Sequence, residues 1–397
     1  MKRPYVIIGG GIVGSSIAYH LAREGCDVCV LEKEPAVALH ASGRNSGVLH
    51  SGINYRPRSE KSNFCIAGNY ETKEFCRAEG VPFNECGTIV IARSNEEKDR
   101  LKTQYNLIKT ANIPGLRYIE KKGIEEIFER EPAITKEARE AIFSPTGAIV
   151  DSPVLTAAIA ARAQKHGARY IFNAEVNDIK GLDLITTCGD IKAGHIVNAA
   201  GLYADKMAHM MGIGKEHRVI PFLGKYWQVC NVPINSMVYV APNLQFPFLG
   251  VHFTASIDGR VLAGPNSALA LGRESYNGEL NFQELREAVL TKNFARMAMS
   301  RKFLKMAYEN SLTAFFQSRF LAEIQSLTSF PVEARDILPY RAGIRAQMVS
   351  TNGQMLDDLV VEYRENSTHV INAVSPSMTC ALPFGRKVAE TIVKRKY

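Results

Sequence analysis

The sequence predicts an α/β protein in two interleaved parts: a discontinuous, Rossmann-type parallel-sheet domain and an α+β domain built on a mostly antiparallel sheet. Three observations carry this expectation. A β-α-β unit with a glycine turn opens the chain, the same strand-and-helix pattern returns in the middle and at the end, and the intervening material is β-rich in a different way. At 397 residues the chain is too long for one simple core and long enough for two.

Residues 4–8 (PYVII) read as a short buried strand, 12–24 as a helix with small residues on one side ended by Gly25, and 27–32 (DVCVLE) as the second strand. Residues 34–60 are loop-like and 60–140 a charged, helical stretch. A helix over 154–166 precedes strands at 169–173, 184–188 and 194–198. Gln228 to Val240 and Val251 to Leu262 are β-rich, and 281–325 read as one or two amphipathic helices. A strand over 368–373 and a helix over 384–396 close the chain, with Pro383 suited only to a first helical turn. These elements assign residues 1–85, 146–215 and 330–397 to a cofactor domain, and 86–145 and 216–329 to a substrate domain. No internal repeat or low-complexity segment appears.

Hydrophobic residues make up 46% and charged residues 22%, as in ordinary soluble proteins. A net charge of +8 favours anionic partners: carboxylate substrates, nucleotide phosphates or an anionic membrane surface. No basic run is long enough for nucleic acid, and Lys394-Arg395-Lys396 reads as a solvated helix end. The eight cysteines are scattered. Cys26-x-x-Cys29 has no second such pair and no matching histidines, and Cys29 falls inside a predicted strand, so both read as structural in a reducing cytoplasm. Glycines 9, 10, 11 and 14 interrupt the N-terminal apolar stretch, which argues against a signal peptide. No segment reaches roughly 18 uncharged apolar residues, the length of a transmembrane helix. The expected location is cytoplasmic, with peripheral contact at the inner membrane as the second option.

Gly9-x-Gly11-x-x-Gly14 follows a predicted strand and opens a predicted helix. Gly9 permits the tight turn, Gly11 lets the backbone approach a pyrophosphate, and Gly14 lets helix and strand pack closely. The helix N-terminus offers free N–H groups to phosphate, and Glu32 ends the second strand where an acid would bond a ribose hydroxyl. Together these form a strong dinucleotide signature, one that does not by itself separate FAD from NAD.

Resemblance does separate them. Ala41-Ser42-Gly43-Arg44-Asn45-Ser46-Gly47 looks like the segment lining pyrophosphate and flavin in the D-amino acid oxidase superfamily, and Asn198-Ala199-Ala200-Gly201 resembles its segment beside the cofactor. Ser375-Pro376-Ser377-Met378-Thr379 resembles the turn into the final helix, implying contact with the flavin pyrimidine. Val176 would give backbone contacts to adenine. The implied cofactor is FAD, in a glutathione reductase-like fold of the D-amino acid oxidase type.

A narrower resemblance runs through nearly the whole chain. Arg44-Asn45-Ser46-Gly47-Val48-Leu49-His50-Ser51-Gly52-Ile53-Asn54-Tyr55, Phe246 to Thr254, Gly264-Pro265-Asn266, Arg273-Glu274-Ser275-Tyr276 and Gly343-Ile344-Arg345-Ala346-Gln347 are similar to segments of L-2-hydroxyglutarate dehydrogenases/oxidases, in that family's order. Lys225-Tyr226-Trp227 departs from it, standing where the family carries an acidic-aromatic stretch. The resemblance implies oxidation of a small dicarboxylate, with hydride leaving C2 for flavin N5 and a base taking the hydroxyl proton. Histidine suits that base. His252 is the first choice and His50 a flavin or substrate neighbour; the alternatives are a structural histidine for either, or a covalent flavin link for His50.

Arg345 is the leading carboxylate ligand because its planar fork binds bidentately. Tyr55, Tyr340, Arg341, Lys225, Arg273 and Asn266 are further candidates, Asn266 equally well explained as a turn residue. The electron acceptor is expected to be oxygen or a membrane quinone. Arg286, Lys292, Arg296, Arg301, Lys302, Lys305 and Arg319, set among Leu, Met and Phe, form either a lipid-facing surface or a packed helix pair with a solvated face. Rival readings are an amino-acid or amine oxidase, a glycerol-3-phosphate dehydrogenase, and a non-catalytic FAD-binding module.

Overall fold

The computed structural model describes residues 3–242 and 250–395; the Phe246-to-Leu249 part of the motif above lies outside the described residues. The first strand, Tyr5–Ile8, pairs in parallel with Val28–Leu31 on one side and His195–Asn198 on the other. Arg169–Ile171 and Ser367–Asn372 extend this sheet in parallel, and Val360–Tyr363 closes it antiparallel. The inner strands are buried along almost their whole length, as in a sheet covered on both faces, Tyr5–Ile8 and Val28–Leu31 as largely apolar runs. Ile7, Val30, Val197 and Val370 meet Ile17, Leu21, Phe384 and Val388 from the first and last helices in one core.

A larger, mostly antiparallel sheet holds the rest. Its axis is the long pair His217–Val229 and Ile337–Ser350. Residues 337–350 therefore belong to this sheet and not, as sequence expected, to the cofactor sheet. Strands Thr88–Ala92, Arg117–Ile119 and Glu140–Ser144 complete its far edge. The stretch 60–140 is thus helical only in part, at Glu60–Glu79, Asn95–Ile108 and Glu125–Arg130. TIVIA at 88–92 is fully buried and five residues long, a strand by length and β-branching that the surrounding charge obscures. Residues 281–325 form four short helices rather than one or two.

The last helix also starts earlier than expected, at Ser377, so Pro383 lies in its interior. Proline removes the N–H that would bond the Thr379 carbonyl. Gly68 of the crossing helix packs on that carbonyl so closely that a Cβ there would sit 2.0 Å from the oxygen. The break in the helix ladder is filled by a neighbour's backbone.

Candidate active site

One cavity of about 700 Å³ runs from the glycine turn to the junction of the two sheets. At its first end Gly9 adopts φ +103°, and a Cβ on Gly14 would lie 2.0 Å from the Gly9 carbonyl. A Cβ on Gly11 would lie 3.0 Å from Ser42 Oγ, which itself accepts from the Ile12 amide at 2.9 Å. Gly9 and Gly11 line the cavity, whereas Gly14 shapes it from behind. Glu32 is held by two backbone amides: Gly10 N–H donates to Oε2 at 2.8 Å and Glu34 N–H to Oε1 at 3.1 Å. Val176, Ala200 and Gly201 form the wall beyond it.

The loop at 38–47 roofs this end. Asn45 stitches it, donating to the Ala41 and Ser42 carbonyls at 3.0 and 2.8 Å and accepting from Gly47 N–H at 2.9 Å. Ser42, Arg44, Asn45 and Ser46 face the cavity. Gly47 does not; it lets the loop pass Val150, whose carbonyl would lie 2.4 Å from a Cβ. Arg44 donates to the Leu39 carbonyl at 2.9 Å and lies 4.1 Å from the Tyr276 ring centre. Arg341 donates to the Gly43 carbonyl at 2.6 Å. Across the cavity, Ser377, Met378 and Thr379 open the last helix, whose first amides have no intrahelical acceptor. Thr379 Oγ1 accepts from His50 N–H at 3.1 Å, tying the two walls together.

At the sheet junction the long strand pair supplies one wall of the cavity. Gly224 pairs with Gly343 and Phe222 with Arg345; Phe222 packs into a neighbouring core, whereas Gly224, Tyr226, Gly343, Ile344, Arg345 and Ala346 line the cavity. Lys225 does not; its amide donates to Asn266 Oδ1 at 3.0 Å. His50, Tyr55 and His252 complete the pocket, with Tyr55 edge-on to His50 at 5.8 Å. The His252 ring stacks on Tyr239 at 4.2 Å and 22°. Its Nδ1 lies 2.8 Å from the Gly250 carbonyl, so Nδ1 carries the hydrogen and Nε2 is left as acceptor. Burial lowers His252 to about 4, with Arg345 adding to the effect and the Gly250 bond opposing it. Burial lowers His50 to about 3, with His252 adding to it. Both imidazoles are therefore neutral at neutral pH. Burial works against the Arg345 charge, while the buried Tyr226 hydroxyl supports it.

Four sequence candidates do other work. Arg273 is buried against Asp205, with contacts of 2.7 and 3.0 Å. Burial pushes the Asp205 carboxyl up, but Arg273 overcomes it and holds Asp205 below its ordinary range. Tyr340 lies outside the cavity between Arg341 and Arg260, accepting from Arg341 Nη2 at 2.5 Å. Asn266 is a buried turn residue that also donates to the Thr313 carbonyl at 3.4 Å. Lys225 points off the cavity, as above. Arg273→Ala would strand a buried carboxylate. The expected loss is about 3–5 kcal/mol in urea denaturation, with the substrate concentration dependence unchanged. A raised KM at full stability would return Arg273 to the site. Conversely, sequence reading missed Tyr226 and Tyr239; strand alternation with Gly224 was a usable signal for the first, and none existed for the second.

The residues present fit FAD. A side chain on Gly9 or Gly14 would clash with backbone, Glu32 is held at the end of its strand where it would meet a ribose hydroxyl, and the N-terminus of the last helix lines the far wall, where it would favour negative charge on a bound flavin. The FAD dependent oxidoreductase family matches residues 4–391. The chain is 35% identical over 399 residues to L-2-hydroxyglutarate dehydrogenase of Escherichia coli (strain K12), covering 98% of this chain and 92% of that protein. It is 31% identical to the mitochondrial L-2-hydroxyglutarate dehydrogenase of Homo sapiens, covering 98% and 88%. The fold matches dithionite-reduced L-alpha-glycerophosphate oxidase from Mycoplasma pneumoniae with FAD bound, at a TM-score of 0.76 and 20% identity over 98% of this chain and 94% of that one. The cavity's cofactor is FAD, and the chain belongs to the L-2-hydroxyglutarate dehydrogenase family of FAD-dependent oxidoreductases.

Proposed function

We propose that the protein oxidises L-2-hydroxyglutarate to 2-oxoglutarate, with His252 taking the hydroxyl proton. The observation that carries this reading is a neutral, buried imidazole whose Nε2 is its free acceptor position, in one cavity with a buried guanidinium. FAD, when bound, supplies the hydride acceptor. Arg345 holds a substrate carboxylate, Tyr226 lines the cavity beside it, and Tyr239 fixes the plane of the base. His50 and Tyr55 shape the neighbouring wall. Residues 1–85, 146–215 and 351–397 serve as the cofactor part and the remainder as the substrate part. The compartment is the cytoplasm, in keeping with eight free cysteines. Oxygen or a membrane quinone serves as the final acceptor.

The test is anaerobic mixing of purified protein with L- and D-2-hydroxyglutarate, L-2-hydroxy monoacids, glycine, proline and glycerol 3-phosphate. L-2-hydroxyglutarate should bleach the flavin absorbance fastest; bleaching by an amino acid but not by the hydroxy acid would overturn the reading. Arg345→Lys should raise the half-saturating substrate concentration by about 10²-fold, because an ammonium cannot reproduce a bidentate fork. An unchanged KM would move carboxylate binding elsewhere.

A further inference from the structure

The cavity lining is exposed to solvent at two ends. At the dinucleotide end the exposed residues include Leu39, Ala41 and Glu175. An incoming anion finds little there to attract it. Glu32 and Glu175 line that end, and its Lys33 is already held by Glu34 and Glu274 at 2.7 and 2.5 Å. Beyond His50, at the opposite end, the exposed lining residues are Arg56, Leu107 and Asp357. Arg56 follows Tyr55, which lies edge-on to His50, and His50 feels the charge of His252. This second opening therefore leads to the two imidazoles.

The rim of that opening is firmly built. Gln104, only 1% exposed, donates from Nε2 to the Ile53 carbonyl at 2.9 Å and to Asn54 Oδ1 at 3.0 Å. On the other side Ser59, which caps the helix Glu60–Glu79, donates from Oγ to the Arg56 carbonyl at 2.8 Å. The chain is thus tied before and after Arg56. The other charges at this opening cancel, since Lys61 bonds Asp357 at 2.6 Å. Arg58 and Glu60 are exposed, lie off the cavity and are of opposite sign. The Arg56 guanidinium has no hydrogen-bond or ion-pair partner among the described residues. An exposed arginine is ordinary; an unbalanced one at the mouth of a cavity is not, because low-dielectric walls focus its field along the passage. Its attraction acts on anions and leads them towards the buried Arg345.

We propose that Arg56 steers the dianionic substrate into the cavity, acting at the entrance and not on the reacting atoms. The inference rests on the dicarboxylate reading of the substrate and deepens it. The test is anaerobic stopped-flow reduction of the flavin-loaded protein by L-2-hydroxyglutarate at low and high salt. Arg56→Glu should raise the half-saturating concentration about tenfold at low salt and leave the limiting rate unchanged. At ~0.5 M salt the variant should come within about twofold of the wild type. Arg56→Gln should fall between the two, and Arg56→Lys should match the wild type within about twofold, because steering needs charge and not a planar fork. All three variants should keep the flavin spectrum and the melting temperature. Dithionite, an anion that reduces flavin without being a substrate, should show the same dependence on Arg56 and on salt. An unchanged half-saturating concentration in Arg56→Glu, a lowered limiting rate, or a defect that persists at high salt would overturn the proposal. The dithionite arm keeps the two readings apart. Failure of L-2-hydroxyglutarate to bleach the flavin would end the substrate assignment, whereas dithionite rates indifferent to Arg56 would end the steering assignment.

Discussion

His252→Ala leaves the protein yellow and slows anaerobic flavin reduction by L-2-hydroxyglutarate between about 10² and 10⁴-fold, the range expected for loss of a positioned base. The flavin should stay because no part of the glycine cradle touches this residue. The cost should fall on the reductive step because the alkoxide character that the base relieves develops only as hydride leaves. His50→Ala, which removes a neighbour rather than the base, should cost less and alter the flavin spectrum more. Stopped-flow traces of the two variants decide the matter: a His252→Ala rate within a few-fold of wild type, with His50→Ala crippled, would exchange the two roles.

A second large effect is expected from acid. Burial lowers His20, His252 and His369 to about 4 and His50 to about 3, assisted at His20 by Arg23 and Arg386 and at His369 by Arg364. In the unfolded chain each titrates near 6.5. Between 6.5 and about 4 the unfolded chain therefore takes up protons that the native protein refuses, so stability falls as pH falls through this window. One unit below 6.5 each group forfeits about 1.4 kcal/mol relative to neutral pH, and four together forfeit roughly 5–6 kcal/mol, comparable with a domain's whole stability. The melting temperature, followed by release of flavin fluorescence, should drop on the order of 10 °C between pH 7.5 and 5.5. His20→Gln, far from the substrate, should recover part of that drop. Catalysis itself should stay flat from pH 8 to 6, because the base is already neutral throughout. A melting temperature constant across the range, or a rate that bends near 6.5, would show that these imidazoles titrate normally.

The legible parts of the sequence were those where local rules and tertiary packing agree. The glycine turn, the small-residue helix and Glu32 each sit within a span of 30 residues, and each follows from backbone geometry alone. The cavity wall formed by Arg345 was reached through resemblance, and its inward direction follows from pairing with His217–Val229, which no local pattern announces. Arg273 misled because its partner Asp205 lies 68 residues away, and an arginine's place in a buried pair is invisible from its own neighbours. Pro383 misled for a similar reason. A proline's cost to a helix is a local rule, but the glycine that accommodates the freed Thr379 carbonyl comes from another helix. Tyr239 lies in an ordinary strand, and its importance rests wholly on the ring it stacks against.

The roof over the cofactor end has a consequence for how the protein is made. Arg341 grips the Gly43 carbonyl, and Gly343 lies so near Arg44 that a Cβ there would stand 2.0 Å from its carbonyl oxygen. His40 reaches Tyr276 at 2.7 Å and Glu34 at 2.8 Å. Both sheets thus clasp one short loop over the cofactor end of the cavity. A dinucleotide held beneath it should stabilise the fold in proportion to its affinity, so the flavin-free polypeptide should melt at a lower temperature and be the form most readily lost to proteolysis.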